Sequence, residues 1–250
     1  MYEVSRKGRK ILFQPLVLPH FTVLLFFAIV MYPIFFFSLG SVFTYGLGLS
    51  SAVSAVIIWF SLLGSSVNFP LKEIVSNESV IFLREVSFFG FKWVIPNFAG
   101  RRRTIIAINL GGAIVPLLVS SYLLIFAVLF HEVSPVITYA KIFVVTTVVI
   151  LFTNKFSRII PGFGIAVPAL IPPLISALVT MSIFDLFAPS NPSIIAYISG
   201  TLGTIIGADL LNLSKISKTN APLVSIGGAG TFDGIYITGI MSVALVLLML

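Results

Sequence analysis

The sequence predicts an all-α polytopic membrane protein with about seven transmembrane helices. Its composition is the first indication, because 58% of the 250 residues are hydrophobic and only 9% are charged, unlike an ordinary soluble domain. Several stretches also reach the roughly 20 apolar residues that a helix needs to cross about 30 Å of hydrocarbon. Finally, the basic residues collect in alternate connecting segments. We therefore expect one integral membrane domain over residues 1–250, with the lipid bilayer as its main partner.

The predicted spans follow the apolar runs. They cover residues 16–40, 49–68, 104–130, 135–154, 162–184, 194–213 and 233–250. Lysine and arginine lie before the first span and after the second, fourth and sixth, and by the positive-inside rule this side is cytoplasmic. The N-terminus is then cytoplasmic and the C-terminus external. Lys141 is the exception, a cation within the fourth span, where its long stem is expected to reach toward the interface.

Two connecting segments have unusual compositions. Residues 70–103 form a cytoplasmic or interfacial loop, in which the aromatic and partly alternating stretch 79–97 is typical of a β-hairpin or interfacial flap, or else of an amphipathic linker. Residues 214–231 form a Gly-rich loop and are a candidate re-entrant segment. Five polar or Gly/Pro-rich motifs fall at cytoplasmic ends of spans, namely SSVNFP (65–70), INLGGAIVP (108–116), PGFGIAVPALIPP (161–173), GADLLN (207–212) and GGAGTFDG (227–234).

These motifs predict Gly/Pro-broken helices around an inward-opening polar cavity. Interrupted helices free backbone groups, which membranes tolerate only where the groups are buried in protein or line a wet cavity. The alternative for the row Gly200, Gly203 and Gly207 is that small residues let helices pack closely. Nine residues are candidates for lining the cavity: Asn68, Asn109, Asn212, Gly227, Gly228, Gly230, Thr231, Tyr236 and Pro168. For Asn68 and Asn109, hydrogen bonding at a helix terminus is the simpler alternative.

Asp209 and Asp233 are the acidic residues at or near membrane depth, and an intramembrane acid is a functional hypothesis by default. They lie at similar depth on successive antiparallel spans, where two carboxyl groups in one desolvated site tend to share a single proton. Aspartyl proteases use such a pair, and so would a proton- or cation-coupled transporter. The simpler alternatives are that Asp233 caps a helix and that Asp209 pairs with Lys215 or Lys218.

Other chemistries are excluded or unsupported. The chain has no cysteine, which removes disulfides and thiolate catalysis, and we predict no metal and no cofactor. It also has no Walker A loop, zincin motif or nucleophile elbow. The net charge of +7 reflects topology, so no nucleic-acid partner is expected.

Three motifs, NLGGAIVP, GTLGTIIGADLLNL and SIGGAGTFDGIYITGI, resemble the DUF1614 family of uncharacterised prokaryotic multispanning membrane proteins. The resemblance implies a prokaryotic plasma membrane and no mechanism. In position, the two aspartates are similar to those of presenilin and signal-peptide-peptidase-type intramembrane proteases, which implies Asp209 and Asp233 as a catalytic pair. The motifs differ, because residues 230–233 read G-T-F-D rather than G-x-G-D, Ala208 replaces a tyrosine, and the P-A-L triplet at 168–170 precedes both acids.

The leading hypothesis is a diaspartyl intramembrane hydrolase that uses Asp209 and Asp233 on a transmembrane peptide. The alternative is a secondary transporter or channel that uses the same residues for protons, cations or a small solute. A further alternative is a noncatalytic membrane scaffold.

Overall fold

The computed structural model is mostly helical, with the first predicted span falling almost entirely outside the residues it describes. Those residues are 12–13, 40–76, 80–88, 91–99, 102–160, 164–219, 221–229 and 233–250. A short helical turn occupies Val42–Gly46. Six apolar helices follow, α1 (Ser51–Gly64), α2 (Leu110–His131), α3 (Pro135–Phe156), α4 (Ile171–Ile183), α5 (Pro192–Lys215) and α6 (Gly234–Met249).

Three of these helices have the length and composition to cross a membrane. They are α2, α3 and α5, of 22, 22 and 24 residues, whereas α1, α4 and α6 are shorter apolar helices. The apolar helices therefore indicate a membrane environment, as the composition predicts, while the count of seven spans stays a prediction. The second and fifth predicted spans are too long, because α1 gives way to a strand at Val67 and α4 begins only at Ile171, with prolines in its first turn.

The connecting segments contain more strands than the single predicted hairpin. Those within the described ranges are β1 (Leu12–Phe13), β2 (Val67–Ser76), β3 (Val80–Phe88), β4 (Phe91–Ala99), β5 (Arg102–Asn109), β6 (Arg158–Ile160), β7 (Gly164–Ala166) and β8 (Leu223–Ile226). One sheet has the order β1-β2-β5-β8, in which β5 is antiparallel to β2 and parallel to β8. Within the segment predicted as a hairpin or flap, β3 and β4 pair antiparallel.

Two segments, one predicted as the start of a span and one as a loop, contain strands of this sheet. Residues 104–109 were expected to begin the third span, yet they form most of β5, whose β-branched isoleucines suit a strand between two neighbours. The segment 214–231 is not a plain Gly-rich loop, since the last turns of α5 belong to a 3₁₀ helix that covers Leu210–Thr219, and β8 follows it. The backbone of β8 is paired in the sheet.

Close helix packing explains the glycine row of α5. A Cβ added to Gly203 would lie 2.5 Å from Val149 of α3, and one added to Gly207 would lie 2.7 Å from the carbonyl oxygen of Ile150. At Gly200, the nearest atom would be the Ser242 hydroxyl of α6, at 2.8 Å. The geometry agrees with the close-packing alternative, in which small side chains let helices approach one another.

Lys141 is buried, with 5% of its surface exposed, and its ammonium group reaches the loop that follows α4. Its ammonium group donates hydrogen bonds to the carbonyl oxygens of Phe184 and Ala188, at 2.5 Å each, and to the Ser190 hydroxyl at 3.0 Å. These acceptors use all three N–H donors of the lysine. Phe184 is the C-cap of α4, and a cation at that end complements the helix dipole.

Candidate functional site

Asp233 lies directly before α6 and caps it, as the simpler interpretation predicts. Its backbone is extended, one carboxylate oxygen accepts a hydrogen bond from the Ile235 N–H at 3.0 Å, and the other accepts one from the Ala229 N–H at 3.4 Å. The carboxylate therefore connects the backbone of Ala229 to the first turn of α6. An N-cap of this kind stabilises a helix by about 1 kcal/mol. Asp233 is half-buried in this position.

Asp209 ends a π-helical turn, Ile205–Asp209, within α5. Its carboxyl group is half-buried, lies within electrostatic range of Asp233, and has no hydrogen-bond partner in the part of the chain that the structure describes. The predicted pairing with Lys215 is not found, because the Lys215 ammonium donates to the Asn212 side-chain oxygen at 2.7 Å. The side chain of Lys218 lies outside the described residues.

Asn212 shapes the backbone before Asp209 rather than bonding to the carboxyl group. Its buried amide nitrogen donates to the carbonyl oxygens of Gly207 at 3.2 Å and Ala208 at 2.8 Å, and to the Ser157 hydroxyl at 3.0 Å. Asn154 of α3 also donates to the Gly207 carbonyl, at 3.1 Å. These bonds satisfy carbonyls at the π-helical turn, a distortion that is frequent at functional sites.

A buried amide cluster connects three strands to the start of α2. The Asn109 amide donates to the Ser65 carbonyl at 2.8 Å and to the Asn68 side-chain oxygen at 3.1 Å, while its own side-chain oxygen accepts the Gly112 N–H at 2.8 Å. Ser225 of β8 donates to the same Asn68 oxygen at 2.6 Å. Asn109 therefore acts as a hydrogen bonder at a helix terminus, whereas Asn68 connects side chains of neighbouring strands. Ser225 was not predicted, although it begins the motif that contains Asp233.

We expect Asn109→Ala to lower the free energy of unfolding by about 3 kcal/mol, since several fully buried groups lose their partner at once. Asn109→Asp separates the two roles of the side chain, because it retains the acceptor for Gly112 but lacks the donors for Ser65 and Asn68. Thermal unfolding in detergent would measure both variants. Asn154→Ala, which removes one hydrogen bond, is the control. If Asn109→Ala is as stable as this control, the prediction is contradicted.

The glycine turn before Asp233 packs on the start of α2. Gly227 has a φ of +72°, a conformation that favours glycine, and a Cβ there would lie 2.7 Å from the Gly112 carbonyl carbon and the Ala113 nitrogen. At Gly228, a Cβ would lie 2.7 Å from the Ser225 carbonyl oxygen. Gly230 and Thr231 lie outside the described residues.

The segment that contains Pro168 lies near Asp209. Strand β7, which ends at Ala166, packs against the π-helical turn of α5 and against the 3₁₀ helix that follows. Pro168 is exposed in the turn between β7 and α4. The triplet 168–170 therefore follows shortly after a strand that contacts the π-helical turn of Asp209. The triplet itself precedes both acids in the chain.

Tyr236 is buried one helical turn beyond Asp233, with an exposed fraction of 3%. Its hydroxyl and that of Ser61 in α1 are both buried, and neither has a hydrogen-bond partner of acceptable geometry among the described residues. Nearby, an apolar cavity of about 180 Å³ is lined by Phe60, Leu63, Gly64, Val67 and Leu110. Across the described ranges, no three histidine or acidic side chains are grouped to hold a metal ion.

Comparison with known proteins identifies the family. Residues 62–245 match the profile of a family described as "Protein of unknown function (DUF1614)". Neither the curated proteins nor the solved structures contain a match. The matched range contains all three motifs that carried the resemblance and covers more than half of the chain, so the protein belongs to the DUF1614 family.

Proposed function

We propose that the protein is a diaspartyl intramembrane hydrolase that cleaves transmembrane peptides. The proposal rests on the pair of half-buried acids, Asp209 and Asp233, which lie within electrostatic range of each other. Neither acid forms a salt bridge with a cation whose side chain the structure describes. A purely structural acid at such a site would normally be paired with a cation. Two carboxyl groups in this arrangement are expected to share one proton.

The hydrogen bonds divide the roles between the two acids. Asp233 accepts two backbone N–H groups, which favours its ionised form as the base that takes a proton from the attacking water. Asp209 receives no such donor among the described residues, so the shared proton resides there and is donated to the oxygen of the scissile carbonyl. The products are a carboxylic acid and an amine, and the water molecule is consumed.

Transport of a proton or cation is the second candidate, and the backbone beside the two acids favours it. Helix α5 contains a π-helical turn at Ile205–Asp209, and Asp233 directly precedes α6. Discontinuous helices with nearby acids form ion sites in secondary transporters. The same two carboxyl groups would then bind and release the transported ion.

Binding of a peptide with a hydroxyethylene group in place of one amide would test the hydrolase. This group mimics the tetrahedral intermediate, and such analogues bind more tightly than substrates. At 100 times its Kd, the peptide should stabilise the detergent-solubilised protein by about 2.7 kcal/mol, an effect that Asp209→Asn and Asp233→Asn should each abolish. A panel of such peptides on apolar 20-residue sequences, each with an unmodified control, should include at least one stabilising member.

Stabilisation that persists in both variants would contradict the assigned acids. The transport candidate would replace the hydrolase if sodium or potassium ions stabilise the protein, none of the peptides does, and the stabilisation is lost in the same two variants.

A further inference from the structure

The end of α3 and the last turns of α5 meet at a hydrogen-bonded junction. Helix α3 ends at Phe156, and the hydroxyl of the next residue, Ser157, accepts the Asn212 amide of α5 at 3.0 Å. The Asn212 side-chain oxygen in turn accepts a hydrogen bond from the Lys215 ammonium group at 2.7 Å. Since Asn212 is only 1% exposed, the ammonium group of Lys215 is held against a buried side chain beside the end of α3.

Two exposed cations converge at this junction. Lys215 is one, and Arg158, which directly follows Ser157 and begins β6, is the other. Strand β6 packs against the 3₁₀ turns of α5 that contain Lys215. Neither cation forms a salt bridge with an acid in the described part of the chain. Lys215 uses one of its three N–H donors on Asn212, so two remain, and the guanidinium group of Arg158 offers five.

Apolar side chains border the two cations. Ile160 lies two residues after Arg158, on the same face of β6, and Leu211 lies near the start of the 3₁₀ turns; they are 43% and 51% exposed. The exposed rings of Phe152 and Phe156 stack in the last turns of α3, with centroids 6.5 Å apart. Helix α3 has the length and composition of a membrane span, so its end lies at a membrane–water boundary, where aromatic and basic side chains contact lipid headgroups.

We propose that Arg158 and Lys215 bind the phosphate group of an anionic phospholipid whose acyl chains lie over Phe152 and Phe156. A planar guanidinium group can donate two parallel hydrogen bonds to one phosphate, while the ammonium group of Lys215 supplies a further donor. Basic pockets between membrane helices bind anionic headgroups in this way. The exposed rings favour a lipid over a soluble phosphate, because only a lipid would cover them. Binding of the lipid does not rest on the proposed hydrolase.

Native mass spectrometry of the whole protein, released from detergent micelles, would test the site. The delipidated protein is incubated with equal amounts of phosphatidylglycerol, which is anionic, and phosphatidylcholine, which is zwitterionic, with identical acyl chains. We expect several-fold more bound phosphatidylglycerol. Arg158→Gln and Lys215→Gln should each reduce this excess several-fold, and both variants should fold because both residues are exposed.

The matched control is Lys155→Gln. It removes an equal charge from an exposed residue in the last turn of α3, whose side chain makes no hydrogen bond with the described residues, and it should retain the excess of phosphatidylglycerol. If this control loses as much of the lipid as Arg158→Gln does, general surface charge rather than the junction retains the lipid, and the proposal is overturned.

Equal binding of the two lipids to the unmodified protein would also overturn the proposal, and this comparison needs no variant. A large excess of inorganic phosphate should leave phosphatidylglycerol bound, whereas its displacement would assign the junction to a soluble phosphate instead of a lipid. None of these readouts depends on peptide cleavage, so failure of the lipid site is distinguishable from failure of the hydrolase.

Discussion

Cleavage of a transmembrane peptide is expected to fall by about 10²–10⁴-fold when either Asp209 or Asp233 is replaced by Asn, because each variant removes one member of the acid–base pair. The two losses should not add, since the carboxyl groups act as one unit. The measurement is the rate of product formation, by mass spectrometry, from a panel of single-span peptides reconstituted with the protein in lipid vesicles.

Asp233→Asn separates catalysis from helix capping. Asn is as good an N-cap as Asp, and its side-chain oxygen can still accept the Ile235 N–H. The variant should therefore fold with nearly unchanged stability and lose activity. The matched control is Asn191→Ser at the N-cap of α5, where the side-chain oxygen accepts the Ser193 N–H at 2.9 Å and a serine hydroxyl preserves the cap without adding charge. Cleavage that is unchanged in both aspartate variants would contradict the assigned pair.

Lys141→Met is expected to lower the free energy of unfolding by about 3–5 kcal/mol, the cost of removing one partner from a buried charged cluster. The variant leaves the carbonyls of Phe184 and Ala188 without their donor. It also removes the cation that lies within electrostatic range of Asp185 and Glu132. Thermal unfolding in detergent, compared at fixed lipid and detergent concentration, would measure the loss.

Lys155→Met is the matched control for Lys141. Lys155 lies in the last turn of the same helix, α3, and is exposed, so its replacement should change stability by no more than about 0.5 kcal/mol. If the two methionine variants are equally stable, the hydrogen bonds of Lys141 contribute little and its burial has another cause.

The same buried lysine shows what the sequence alone does not specify. A single cation in an apolar run predicts a side chain that reaches the interface, because the sequence does not reveal which carbonyls approach it. The loop after α4 brings Phe184, Ala188 and Ser190 to its ammonium group. The three acceptors come from a segment more than 40 residues away in the chain, so only the tertiary structure reveals them.

Strand β5 is a second example. Residues 104–109 are apolar and continuous with the third predicted span, and a short apolar run of this kind fits a helix or a buried strand equally well. Pairing with β2 and β8 decided the outcome. Asn109 then ends the strand and caps α2 by accepting the Gly112 N–H, so the helix begins at Leu110.

The candidate site was predicted in part. The sequence singled out Asp209, Asp233, Asn68 and Asn109 because polar groups are costly among apolar spans. It did not reveal Ser61 or Ser225, since one serine in an apolar helix or strand is common and only its neighbours make it notable. Asn212 was expected to line the cavity, and the sequence did not reveal that its hydrogen bonds go to backbone carbonyls and Ser157.

By itself, the sequence determined the membrane environment, the apolar helices and the two acids that stand out against them, because the transfer of side chains between water and lipid depends mainly on composition and run length. Only the tertiary structure decided the sheet β1-β2-β5-β8, the amide cluster and the burial of Lys141. Each of these features depends on hydrogen bonds between groups that are distant in the chain. Such groups must find partners in a medium without water, but no local sequence pattern specifies which partners they find.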